Sequence, residues 1–216
     1  PDRLIQYSEK DGLPGADVYA VMPDHDGYIW TGTINGLSRF DGYEFKRYYY
    51  NPNDSTSVKG SLIWSLYEQP NGNIWVGGVS ALNRYDPVTK VFHRYEYNHL
   101  IDQPQNVETG ILAISSDAKG RIYFGVRLNR GEGVTHGLFY YDEKADSLKR
   151  FEYPDSLVIG EIFQSGLDKS GDFWFLSNTG LFKIDQSGNL EKFHGLDDEF
   201  KEAGPFYAGI HFDKAG

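Results

Sequence analysis

The sequence predicts an all-β fold built from copies of one four-stranded antiparallel unit, and three observations carry that prediction. The stretch from Asp24 to Tyr48, DHDGYIWTGTINGLSRFDGYEFKRY, recurs in altered form from Glu68, Asp117 and Asp168, and Asp213 to Gly216 reads as the opening of a fifth copy. The shared glycines Gly27, Gly72, Gly120, Gly171 and Gly216 stand 45, 48, 51 and 45 residues apart, a spacing that belongs to repeat architectures. No 3.6-residue apolar period persists long enough for a substantial helix, whereas Asn-Gly and Asp-Gly pairs punctuate runs rich in β-branched and aromatic residues.

Taken in order, the first copy reads as strands at Val18 to Met22, Tyr28 to Thr33, Leu37 to Phe40 and Phe45 to Tyr48. Turns at Asp26-Gly27, Asn35-Gly36 and Asp41-Gly42 join them, because these residues accept the positive φ that tight hairpins require. One sheet of this size cannot cover both of its faces, so the copies are expected to stack face to face as blades of a β-propeller. Trp30, Trp75, Tyr123 and Trp174 fall at matching places on the second strand and are assigned to the blade core. Burying one such ring removes about 150–250 Å² from water, roughly 4–6 kcal/mol at about 25 cal/mol per Å².

The predicted blades span approximately 15–48, 61–97, 110–153 and 160–194, with the start of a fifth at 207–216. Residues 3–7 read as the outer strand of a closing blade. A ring must close to hide its edge strands, so about four blades plus one strand reads as a fragment of a larger ring. Pro1 at the first position reads as a processed or trimmed start.

Composition narrows the function. The formal charge is −10, from 31 acidic against 21 basic residues, which argues against a nucleic-acid partner. Aromatic residues make up 16% of the chain, which argues against disorder. No apolar run approaches 18 residues, so no membrane insertion is expected of this segment. The absence of cysteine suits the bacterial periplasm and the cytosol equally.

In a meander of this order, the second-to-third-strand loops and the links between blades emerge on one face. That face collects the polar links at Asn51 to Ser57 and Asn98 to Thr109, and an insertion between Val126 and Leu138 in the third copy. Loops on a rigid scaffold are where binding concentrates. Arg127, Asn129, Arg130 and His136 in the insertion, with the first-strand aromatics Trp64 and Tyr207, are the candidate ligand-binding residues. Arg pairs bidentately with carboxylate or sulfate, and aromatic faces stack on sugar rings. The alternative is that the insertion is a longer loop or an interface between two propellers.

Other chemistry is weaker. Asp24-His25-Asp26-Gly27 resembles half of a calcium loop, but the other copies lack the second carboxylate, and turn chemistry explains the series better. The six histidines show no Glu-x-His spacing, and nothing marks a serine nucleophile. The triplets Arg39-Phe40-Asp41 and Arg84-Tyr85-Asp86 repeat at equivalent places, which favours a structural role. No catalytic residue, metal site or cofactor is assigned.

Gly12 to Tyr48, with NDSTSV at Asn53 to Val58 and NIWVGGVSALNRYDPVTKVF at Asn73 to Phe92, is similar to the two-component regulator propeller repeat. Gly78-Val79-Ser80-Ala81 and Leu176-Ser177 depart from the pattern. The resemblance implies the periplasmic sensor region of a hybrid histidine kinase, detecting an oligosaccharide and signalling through changed packing or dimer geometry. As partners it implies the remaining blades or a second propeller of the same chain, and a homodimer of the full-length protein. Two further readings stay open: a propeller lyase or glycan-active enzyme whose metal site lies in blades outside this segment, and a structural or dimerisation propeller that binds no small molecule.

Overall fold

The computed structural model describes residues 4–101, 109–128 and 137–194. They form four sheets, each a four-stranded antiparallel meander in which spatial order follows chain order. The first blade contains β1 (Val18–Pro23), β2 (Ile29–Thr33), β3 (Gly36–Phe40) and β4 (Phe45–Tyr48). The second contains β5 (Ile63–Glu68), β6 (Ile74–Gly78), β7 (Leu82–Tyr85) and β8 (Phe92–Tyr95). The third contains β9 (Thr109–Ser116), β10 (Ile122–Leu128), β11 (Gly137–Asp142) and β12 (Ser147–Arg150). The fourth contains β13 (Ile162–Leu167), β14 (Phe173–Ser177), β15 (Gly180–Ile184) and β16 (Leu190–Phe193). A single turn of 3-10 helix at Asn98–Leu100 is the one helical element among the described residues. The chain divides into two compact units at Arg94 and Tyr95.

Within the first unit the core lies between blades. Trp30 and Leu37 from the first blade meet Val58, Ile63, Ile74, Val76, Tyr85 and Phe92 from the second. Within the second unit, Ala113, Tyr123 and Leu138 of the third blade meet Ile159, Ile162, Phe173, Phe175 and Phe182 around the fourth. The two interfaces share a close approach at a glycine of the second strand. A Cβ on Gly32 would stand 2.7 Å from Ile63 Cγ2, and one on Gly125 would stand 2.5 Å from Ile162 Cβ. No larger residue fits without moving the neighbouring strand.

Each aromatic assigned to the blade core was also meant to be buried. Trp30, Trp75 and Tyr123 are 1%, 0% and 2% exposed. Trp174 is only partly buried, between Phe173 and Phe175, which are fully so. The first turn of each blade supplies a polar partner to this ring. Trp30 Nε1 donates to Asp24 Oδ2 at 2.7 Å, Trp75 Nε1 to Gln69 Oε1 at 3.1 Å and Trp174 Nε1 to Asp168 Oδ2 at 2.8 Å. Burial works to raise the Asp168 carboxyl, but the Trp174 indole and the backbone N–H groups of Asp172, Ser170 and Gly171 outweigh it and hold it below 3.8. The second-blade counterpart of Asp24 is therefore Gln69, so a copy counted from Glu68 starts one residue early.

Residues 4–8 form no strand with the described blades. Tyr7 instead packs its ring on Phe40 at 4.9 Å and Phe45 at 5.5 Å between centroids, which ties this segment to the end of the first blade. The polar link at Asn51 to Ser57 is also held in place. Arg94 Nε donates to the Ser57 carbonyl at 2.7 Å, and its Nη2 donates to the Asn51 carbonyl at 3.2 Å and to the Asp54 carbonyl. The first blade repeats the motif: Arg47 Nε donates to the Gly12 carbonyl at 2.8 Å. A fourth-strand arginine thus fastens the segment that leads into its own blade.

On the turn side of the first unit, the His25 backbone N–H donates to Glu68 Oε2 at 2.9 Å, and His25 Nδ1 bonds the other Glu68 oxygen. His25 Nε2 lies 3.4 Å from Asp26 Oδ1. The hydrogen bond to Glu68, then the Asp26 and Glu68 charges, raise the imidazole above 6.5.

Three measurements follow from these contacts. Gly125→Ala is expected to lower unfolding stability by about 1–3 kcal/mol through overpacking against Ile162, read by urea denaturation. Arg94→Ala is expected to cost about 1–3 kcal/mol and to speed amide exchange at residues 51–57, with Arg94→Lys restoring only part of the loss. Because His25 titrates higher when folded, its stabilising contribution is complete below pH 6.5 and is lost as pH rises through the raised value. An NMR titration should therefore show an imidazole midpoint above 6.5 that returns towards it in Glu68→Gln.

Candidate functional site

In each described blade, the end that carries the second-to-third-strand loop has a backbone irregular in the same way. The first strand of each blade has a bulge: register shifts between Val18 and Ala20, between Ile63 and Ser65, opposite Gly125 and Val126, and between Ile162 and Gln164. The extra residues are Tyr19, Trp64, Leu112 and Phe163. A bulge re-aims the side chain it carries and leaves its backbone outside the ladder. Tyr19 is 50% exposed, while Trp64, Leu112 and Phe163 are partly buried. Trp64, a candidate ligand contact, is therefore one member of a repeated series of bulged hydrophobic residues.

The signal for these bulges stands in the sequence as pairs of adjacent large apolar residues. Val18-Tyr19, Ile63-Trp64, Ile111-Leu112 and Ile162-Phe163 break strand alternation at the same place in each copy. Reading the first strands as regular passed over it.

In the second unit, Arg127 lies near the end of β10, paired in register with Gly110. Its Nε stands 2.7 Å from Glu161 Oε1, with the Arg127 side chain 36% exposed and the Glu161 side chain 11% exposed. Glu161 precedes β13, so this ion pair joins the third blade to the fourth. The Glu161 backbone N–H donates to Asn178 Oδ1 at 2.9 Å, the Gly160 N–H donates to Thr179 Oγ1 at 3.2 Å, and the Thr179 hydroxyl donates to the Val158 carbonyl at 2.7 Å. The lead-in to the fourth blade is thus fixed by the β14–β15 turn. Blade positions equivalent to Arg127 hold Ile34, Val79 and Asn178, so a charged group is peculiar to the third of the four described blades.

Of the other candidate ligand contacts, Asn129, Arg130, His136 and Tyr207 lie outside the described residues. Arg127 and Trp64 belong to different units. The carboxylate Asp24 serves the turn rather than a cation: its Oδ1 accepts the backbone N–H groups of Asp26 at 3.1 Å and Tyr28 at 2.9 Å, while Oδ2 holds the Trp30 indole. Arg39 stacks over Tyr28 at 3.9 Å, and Arg84 lies 5.9 Å from the Trp75 ring. Both repeated triplets therefore place their guanidinium on blade aromatics. Among the described residues no group of three or more His, Cys, Asp or Glu is placed to hold a metal ion. None of the helices among these residues is long and apolar enough to cross a membrane.

The sequence matches the two-component regulator propeller family at residues 12–35 and 57–80. Those stretches begin at Gly12 and Ser57, whose carbonyls accept from Arg47 Nε and Arg94 Nε. Over 48 residues, or 22% of this chain, it is 48% identical to histidine kinase P4 of Formosa agariphila, 4% of whose length is covered. Two structures of an extracellular domain from B. thetaiotaomicron share the fold. One, assigned to a one-component system, aligns at TM-score 0.62 with 21% identity over 80% of this chain and 22% of that one. The other, assigned to a hybrid two-component system, aligns at 0.57 with 17% identity over 85% and 30%. A gluconolactonase from Xanthomonas campestris aligns at 0.53 with 14% identity over 80% and 60%. The chain spans 4% of the kinase and 22–30% of the extracellular domain it resembles. The described blades have the β-propeller fold, and the first two of them carry the stretches that match the two-component regulator propeller family.

Proposed function

We propose that these blades belong to the extracytoplasmic sensor propeller of a hybrid two-component histidine kinase. The observation that carries the reading is the pair of regulator-propeller repeats at residues 12–35 and 57–80, together with 48% identity to a histidine kinase across 48 residues. In this reading the segment performs no turnover; its likeness to a lactonase is one of fold. The geometry supports blades that present bulged hydrophobic residues at their loop-bearing ends and, in the second unit, the Arg127–Glu161 pair.

The ligand in this proposal is an oligosaccharide, held by stacking on exposed aromatics and by charge-assisted bonds to the third-blade insertion. Binding changes how propellers or protomers of a dimer pack, by no more than the ligand's differential affinity for the two arrangements. Calorimetric titration of the complete extracytoplasmic region against a panel of neutral, uronate-bearing and sulfated glycans tests it. The expected result is saturable heat from one class, weakened roughly tenfold by Arg127→Gln. Silence across the whole panel would transfer support to a structural propeller that mediates only dimer contacts.

A further inference from the structure

The third blade departs from the others on the opposite, turn-bearing face. Where β2, β6 and β14 carry Trp, β10 carries Tyr123, and its hydroxyl stands 3.5 Å from Asp117 Oδ2, farther than any of the three indole contacts. A phenol fills less space than an indole. In the same turn the first blade has Asp26 and Tyr28, the second Asn71 and Asn73, and the fourth Ser170 and Asp172; the third has Lys119 and Arg121. At this place a cavity of about 270 Å³ opens between the β9–β10 turn and the β15–β16 turn of the fourth blade. Tyr123 and Ile184 line it together with Lys119, Arg121, Gln186 and Ser187. Its volume is just below the roughly 300–1,000 Å³ usual for ligand pockets, which suits a small ligand.

The carboxylates at its edge are engaged by their own turns. Asp117 Oδ1 accepts the N–H groups of Lys119 and Arg121, both at 2.9 Å. Asp185 Oδ1 accepts those of Ser187 at 2.8 Å and Asn189 at 2.9 Å, while its Oδ2 accepts Asn189 Nδ2 at 2.9 Å. The cations are not engaged by carboxylates among the described residues. Arg121 lies over the Tyr140 ring at 5.2 Å with Nη1 3.4 Å from the Tyr123 hydroxyl, and Lys119 Nζ donates to the Gln186 carbonyl at 2.8 Å. A planar guanidinium braced on an aromatic face is positioned to grip an oxyanion with two parallel bonds.

We propose that this cavity binds a small organic carboxylate, gripped by Arg121 and Lys119 and flanked by Gln186 and Ser187 of the β15–β16 turn. The site lies on the face away from the insertion and is independent of the sensor reading. Amide shifts of the labelled protein would be followed during titration with galacturonate and benzoate, each against its neutral counterpart, galactose and benzyl alcohol. Saturable shifts at residues 117–121 and 185–188 with one or both acids, and none with the neutral compounds, are expected; which acid binds tells a polyol skeleton from an aromatic one. Arg121→Gln should weaken binding roughly tenfold. Lys119→Gln, which removes the second cation from an exposed turn, should also weaken binding while leaving the unfolding midpoint unchanged. Equal binding of the neutral compounds, full affinity in both variants, or no saturable shift with either acid would overturn the proposal. Because the readout is local to these turns, failure of the glycan titration leaves it standing, and its own failure leaves the sensor reading standing.

Discussion

The distance between neighbouring blades inside each unit is set by a glycine. Gly32 faces Ile63, and Gly125 faces Ile162, so closely that a single added carbon would overlap the isoleucine. This approach lets the large ring two residues earlier lie flat in the interface, where Trp30 and Tyr123 are almost wholly excluded from water. An indole excluded in this way must still satisfy its N–H, and the acceptor comes from the first hairpin turn as Asp24, Gln69 or Asp168. In the first three blades a glycine, an aromatic ring and a turn acceptor stand at one fixed spacing, while the fourth keeps the ring and the acceptor with Leu176 in place of the glycine.

Satisfying those demands uses up the most conspicuous polar residues. The repeated aspartates accept backbone N–H groups in their own turns, the repeated arginines lie on blade aromatics, and Arg47 and Arg94 fasten the lead-in segments. What the proposed recognition can draw on is whatever does not repeat. On the loop-bearing face that is the Arg127–Glu161 pair beside the insertion; on the turn-bearing face it is Lys119, Arg121 and the cavity next to Tyr123. Both departures belong to the third blade, which keeps the strand framework of its neighbours while changing the residues at each end of it.

The all-β class, the four-stranded meander and the aromatic positions were legible in the sequence, because hairpin turns and strand alternation are local and the repeat multiplies the signal. The repeat register alone already separated structural residues from unrepeated ones such as Arg127. Other features depended on residues far apart in the chain. That Gln69 rather than Glu68 replaces Asp24 is decided by which oxygen reaches Trp75, while Glu68 turns instead to His25 in the first blade. The polar link at Asn51 to Ser57 looked like a loop free to bind, yet Arg94 holds three of its carbonyls from 37 to 43 residues away. Residues 4–7 have strand-like composition, but nothing local foretells that Tyr7 packs on Phe40 and Phe45 of the first blade. Local pattern determines which residues can form a blade; packing between blades determines which polar groups are already committed and which are left to meet a ligand.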